Sequence, residues 1–261
     1  MTSGIDRSRR RVAIGLASIT SLASLSPRLL AQPAPVELSV ELVKTGLYLI
    51  SGAGCNSLLR LSAAGSILVN GKLPGTYRAL MSQIRRINKL SDLPLRAVIF
   101  TNHHDIHAGN KAQFVDAGMA VLAQQNALPR LPPMAEPAPV PAASGVMRTK
   151  AGAVFGFEQR HDFRMGGVEV QLHDFGPAQT NDDIVVLFPD LKVLAVGELY
   201  SAGEPVPDFK NGGTLAGWGH VLDQVLKLDF DVAIPSVGSP VGKAELASYR
   251  DRLATLTRSD R

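Results

Sequence analysis

Short apolar runs bounded by turn residues fall in two clusters along the chain, each followed by a helical pattern, and this repeated order restricts the fold more than any other feature. The first cluster covers residues 46–50, 56–61 and 66–69, separated by Gly52, Gly54 and Ala64-Gly65, and reads as an antiparallel meander. From residue 74 to 90 the spacing turns helical, with Leu80, Ile84 and Ile87 on one face and Arg78, Arg85, Arg86 and Lys89 elsewhere. Residues 96–101 then form a buried strand that runs into Asn102-His103-His104-Asp105-Ile106-His107, with a helix starting near Asn110. The second cluster holds a Gly-Gly hairpin over 162–172 and another over 184–196 around Pro189-Asp190. A helix over 215–228, a strand over 231–235 and a closing helix over 243–258, with Leu246, Tyr249 and Leu253 inward, complete the pattern. The order predicts an α/β chain of two packed sheets with helices outside. Six prolines between Pro129 and Pro141 exclude regular structure there and predict an extended surface loop inside a single domain.

The formal charge of +4 invites a nucleic-acid or membrane-surface reading. Position undoes it, because Arg7, Arg9, Arg10, Arg11 and Arg28 face only Asp6 in the first 31 residues, which leaves 22 basic and 22 acidic residues beyond. The body has no net charge to bring to a polyanion, and no phosphate-binding glycine loop, zinc-finger cysteine pair or basic-aromatic patch is present. Ser8-Arg9-Arg10-Arg11 precedes a weakly apolar stretch, Val12 to Leu25, broken by Ser18, Thr20, Ser21 and Ser24, too short and polar to anchor in a bilayer. With Ala31 ahead of Gln32-Pro33-Ala34-Pro35, residues 1–31 read as a twin-arginine signal peptide; a disordered basic tail is the other reading. The expectation is a periplasmic or secreted protein without a membrane anchor after cleavage, with residues 32–261 as one domain.

Cys55 is the single cysteine, so no intramolecular disulfide forms and the fold holds through its core. It reads as a small buried group rather than a reactive thiol. His103, His104 and His107 stand with Asp105 at a strand end, where loops carry chemistry. They are metal-ligand material, yet adjacent histidines on an extended segment point to opposite faces and cannot all serve one ion. Spacing leaves metal binding and a hydrogen-bonded histidine cluster both open. His161, His173 and His220 are scattered, and His173 reads as a packed residue. Ser236 and Ser239 lack a G-x-S-x-G setting, which leaves a serine nucleophile little support.

From about Val40 to its C-terminus the sequence resembles the metallo-β-lactamase superfamily, in the branch of exported β-lactamase-like hydrolases. Residues 46–57 look like its opening strands, and Ile67-Leu68-Val69-Asn70-Gly71 like its "VD-G" turn. Residues 101–114 resemble "THxHxDHxGGN…F", and 176–183 resemble "GPAHTDGD". Phe188-Pro189, Lys192-Val193-Leu194 and Gly197-Glu198-Leu199 match "FP…KVL…GDL", and 234–240 look like "IPGHGP". Trp218, among Gly212, Gly213, Gly217 and Gly219, matches the family's Gly-rich helix start and reads as core or cleft wall. The resemblance implies a four-layer αββα sandwich with a metal cleft along one edge of the sheets.

Enzymes of this family typically hold two zinc ions through seven ligands, and the matching positions here are Asn102, His104, Ile106, His107, Gln179, Glu198 and Val237. Two histidines remain, Glu198 is a longer carboxylate, and four ligands are gone; shifting 234–240 by one residue supplies no histidine. Asn102, Gln179, Asn70 and Asn181 place neutral amides where the family has His, His, Asp and Asp, keeping volume and hydrogen bonding while removing charge. The resemblance therefore implies loss of dinuclear hydrolysis and a protein that binds a small molecule or a protein partner. The alternative is a mononuclear centre in which His104, His107 and Glu198 hold one zinc or iron ion, with Asp105 as base, for ester, thioester or amide hydrolysis. A fold with no metal stays open as well, and His103 and Asp105 otherwise read as solvated residues or partners of a ligand.

Overall fold

Side chains on a strand alternate between its two faces, and here both faces of both sheets are covered. The computed structural model describes residues 36–89, 93–131 and 153–259; the expected leader, and the expected loop over 129–141 beyond Leu131, lie outside the described residues. The first sheet runs in chain order through β1 (Ser39–Lys44), β2 (Leu47–Ser51), β3 (Ser57–Ser62), β4 (Gly65–Val69), β5 (Leu95–Ile99), β6 (Ala120–Gln124) and β7 (Val154–Phe157). β1 to β4 pair antiparallel, as the meander predicts, and β4 to β7 parallel. α1 (Tyr77–Asn88) connects β4 to β5, and α2 (Asp105–Ala108) and α3 (Lys111–Asp116) connect β5 to β6.

The second sheet contains β8 (Arg160–Met165), β9 (Val168–His173), β10 (Val185–Phe188), β11 (Val193–Gly197), β12 (Val232–Pro235) and β13 (Val241–Gly242), in the order β13-β12-β11-β10-β9-β8. α4 (Leu215–Val225) joins β11 to the parallel β12, and α5 (Lys243–Ser259) closes the chain. None of the described helices is long and apolar enough to cross a membrane.

Alternation sorts the apolar side chains into three cores. Ile67, Val69, Ala97 and Ile99 meet Val186, Phe188, Val193 and Ala195 between the sheets. Their neighbours Leu68 and Val98 face the other way, onto Leu80 and Ile84 of α1 and Phe114 of α3. Val185, Leu187 and Leu194 pack beneath Trp218 and Leu222 of α4 and Leu246 of α5. The product is a four-layer αββα sandwich.

Local differences from the sequence reading have physical causes. α1 starts at Tyr77 rather than 74, because Gly75 takes a positive φ of 81° and the Thr76 hydroxyl donates to the Leu73 carbonyl, 2.6 Å away, ahead of the helix. The histidine segment is not extended throughout, since α2 begins at Asp105 and rotates His107 away from His103 and His104. α2 ends at Gly109 with no room for a side chain: an added Cβ would lie 2.3 Å from Pro74 Cδ and 2.6 Å from the Asp105 carbonyl. Gly109→Ala should cost about 2–3 kcal/mol, read as a lower urea midpoint at unchanged slope. An unchanged midpoint would mean that α2 shifts freely.

Candidate functional site

The carboxyl ends of β5, β11 and β12 meet at one edge, together with the β9–β10 loop. Asn70, at a positive φ of 65°, sets the end of β5: its Oδ1 accepts from both the amide and the hydroxyl of Thr101, each at 3.0 Å. Asn56 sets the end of β12, its amide donating to Ser236 O (2.6 Å) and its Nδ2 to the carbonyls of Pro235 (3.0 Å) and Gly238 (2.8 Å).

Asn102 is fully buried between these ends. Its Nδ2 donates to Asp183 Oδ1 (3.1 Å) and Glu198 Oε2 (2.8 Å), and only the nitrogen end of an amide can face two carboxylates. Oδ1 consequently points the other way, accepting the His104 amide (3.0 Å) and facing His107 Nδ1 at 2.5 Å. His107 must then carry its hydrogen on Nδ1. Nε2 is left as an acceptor for the Ser236 hydroxyl, 2.7 Å away. Burial pushes the His107 imidazole down to about 4, so it is neutral at neutral pH.

His104 has the opposite character. Nδ1 lies 2.6 Å from Glu198 Oε2 and Nε2 lies 3.2 Å from Asp208 Oδ2. The hydrogen bond to Glu198 outweighs burial and raises this imidazole to about 9. Burial by itself would raise Glu198, but the His104 bond, the nearby His107 and the Asn102 bond together hold it at about 2. Burial lifts Asp183 to about 6. His103 turns aside to Asp182 (2.7 Å), a buried carboxylate that also accepts from Arg130 (2.8 Å) and the Thr180 hydroxyl (3.0 Å).

Of the expected ligand set, Glu198 touches His104, and its Oε2 lies 4.0 Å from His107 Nδ1. Both ring nitrogens of His107 already face Asn102 and Ser236. Among the described residues, His103, His104 and Asp208 offer three ligand atoms within 4.8 Å of one another, so they can hold a metal ion. Asp105 is exposed at the start of α2, outside this network. Gln179 and the 63% exposed Val237 line a cleft of about 340 Å³ that also touches Glu198, Tyr200, Val206 and Ser236. Cys55 is buried, its thiol pushed up to about 11 by burial. His173 stacks on Phe175 with ring centroids 5.4 Å apart, a packed histidine as expected. Trp218 is core and donates to the Leu199 carbonyl at 2.9 Å.

Sequence reasoning does not single out Asp208, and it leaves Ser236 little support as a nucleophile for want of a G-x-S-x-G setting. No local motif marks Asp208, and Ser236 meets its histidine across 129 positions, where neighbouring residues carry no signal.

No protein-family model matches the chain, and no curated protein does. Solved structures do. A metallo-β-lactamase from Pontibacter korlensis is 18% identical with a TM-score of 0.66, covering 84% of this chain and 99% of its own. The metallo-β-lactamase FIM-1 from Pseudomonas aeruginosa, in a mono-zinc form, is 22% identical with a TM-score of 0.65, over 87% and 99%. A metallo-β-lactamase from Erythrobacter litoralis is 18% identical with a TM-score of 0.61, over 84% and 97%. The chain has the metallo-β-lactamase fold.

Proposed function

We propose that this is an exported metallo-β-lactamase-fold protein whose cleft binds a small molecule without a dinuclear metal centre. The observation that carries the reading is Asn102. At a position matched to a metal ligand, it directs an N–H donor at Glu198 and Asp183, so these carboxylates are compensated by hydrogen bonds and by His104 rather than by ions. An N–H dipole aimed into the site repels a cation. Ile106 and Val237 offer no donor at two further positions, and His107 has both nitrogens engaged. These residues do not fit two zinc ions. The twin-arginine leader supports export.

Elemental analysis of protein purified without chelator should find well under one zinc or iron per chain. Near-stoichiometric metal that disappears in His104→Ala would overturn the reading. It would favour instead a mononuclear hydrolase, for which the convergence of His103, His104 and Asp208 is the supporting observation. Against that alternative, Glu198 and Asp208 keep both ring nitrogens of His104 protonated, and a metal must displace one of those protons. Changing Arg9 and Arg10 together to Lys should abolish delivery outside the cytoplasm; unchanged delivery would refute the export route.

A further inference from the structure

We propose that Ser236 is a nucleophile activated by His107, and that the cleft performs metal-independent acyl transfer from neutral esters or thioesters. The proposal rests on the reading of a cleft that works without a dinuclear centre, and it adds a reaction to that cleft.

Three groups stand in line: Ser236 Oγ lies 2.7 Å from His107 Nε2, and His107 Nδ1 lies 2.5 Å from Asn102 Oδ1. A hydroxyl, an imidazole and an orienting side chain within hydrogen-bond reach make up the activated-nucleophile arrangement, recognised by geometry rather than sequence position. Each member is fixed from behind. Asp183 and Glu198 hold the Asn102 amide in one orientation, which selects the His107 tautomer whose Nε2 accepts a proton. The Ser236 amide donates to Gly197 O (2.8 Å), and its carbonyl accepts the Asn56 amide (2.6 Å). Glu198 Oε2, 4.0 Å from His107 Nδ1, places negative charge where the imidazolium would form.

Ser236 lies at the floor of the cleft, whose wall includes Gln179. The amides of Val237 and Gly238, next along the chain, donate to nothing among the described residues and are free to receive a developing oxyanion. Among the described residues the lining includes Glu198 and Glu204 but no lysine or arginine, and Val206 and Val237 are 68% and 63% exposed. This composition favours an uncharged substrate with an apolar group over one bearing a carboxylate.

In the first step Ser236 Oγ bonds to the carbonyl carbon and its proton passes to His107 Nε2. The bond from that carbon to the leaving oxygen or sulfur breaks, and His107 returns the proton to the leaving group. Water then attacks the acyl-serine, giving one proton to His107 and leaving its oxygen in the acid, and His107 reprotonates Ser236 Oγ. The sum is ester plus water to acid plus alcohol, with no external oxidant or reductant.

The test uses the full chain in excess EDTA, with an uncharged alkyl fluorophosphonate as covalent probe and p-nitrophenyl butyrate as substrate. One phosphonyl adduct is expected on the peptide containing Ser236, with p-nitrophenol release insensitive to EDTA. Ser236→Ala should lose the adduct, and both Ser236→Ala and His107→Gln should lower turnover by about 100-fold or more, with circular dichroism confirming folded variants. Absence of an adduct on wild-type Ser236 would overturn the proposal without reference to any variant, as would unchanged turnover in folded Ser236→Ala. If adduct is absent while a non-hydrolysable ketone analogue of the butyrate ester raises the melting temperature, the serine assignment fails and the binding reading stands. EDTA-sensitive turnover with bound metal would overturn both.

Discussion

Lys72→Met is expected to lose about 3–5 kcal/mol of stability. Lys72 has no exposed surface and a positive φ of 67°. Its Nζ donates to the carbonyls of Ile50 (2.9 Å), Gly52 (2.8 Å) and Cys55 (2.5 Å), so each ammonium hydrogen has an acceptor. Burial draws this ammonium down to about 8, yet three carbonyl dipoles converging on one nitrogen suit its charged form. Methionine fills similar volume with no donor, and each carbonyl stranded against the thioether costs about 1–3 kcal/mol. For a domain of this size the melting temperature should fall by about 10 °C, at about 2–4 °C per kcal/mol. Trp218, the single tryptophan, lies in the other helical layer, so its fluorescence during urea unfolding reports on the whole fold. A loss below about 1 kcal/mol would mean that water satisfies the loop carbonyls. Since the 52–55 loop leads directly into Asn56, the same variant should also loosen the turn that carries Ser236.

Asn102→Leu is expected to be comparably damaging, about 3–5 kcal/mol at pH 8, because it removes the donor shared by Asp183 and Glu198 and leaves the His107 tautomer unset. The deficit should depend on pH in a defined direction. Asp183 already has a folded pKa of about 6, raised by burial from an ordinary 3.8, so the unfolded chain ionises first. Stability therefore falls as pH rises from near 4 through 6. Without the Asn102 bond the folded carboxyl rises further, and the falling range extends above pH 6. Calorimetric scans should show a smaller gap between variant and wild type at pH 5 than at pH 8; an equal gap would remove Asp183 from the account.

Much of the architecture is legible in the residues because burial leaves a period. Residues 67–69 and 97–100 are continuous apolar runs because β4 and β5 are covered on both faces there. Four strands escape this logic. β13 spans only two residues, β1 is an exposed edge, β6 reads Ala-Val-Leu-Ala-Gln in the middle of a sheet, and β7 contains a glycine. Such short segments acquire their conformation from the strand beside them. At the site the resemblance brought Asn102, His104, His107, Gln179, Glu198 and Val237 to one edge. It could not assign partners. Asn102 and Gln179 look equivalent as amide replacements, yet Asn102 orders four groups while Gln179 Oε1 is buried with no hydrogen-bond partner among the described residues. Spacing likewise cannot reveal that Ser236 stops beside a histidine from the other sheet.

The bonds at this edge join remote parts of the chain: Asn56 to Pro235 across 179 positions, His107 to Ser236 across 129, Asn102 to Glu198 across 96. Local fraying cannot open such a seam, since either strand end can leave only when the two sheets part. Amide hydrogens at the ends of β5 and β12 should therefore exchange with solvent together, at the rate of global opening. Whatever occupies the cleft meets residues from 179 to 238, on a turn that Asn56 pins from the first quarter of the polypeptide, and its affinity adds to the resistance of the whole chain against unfolding and proteolysis.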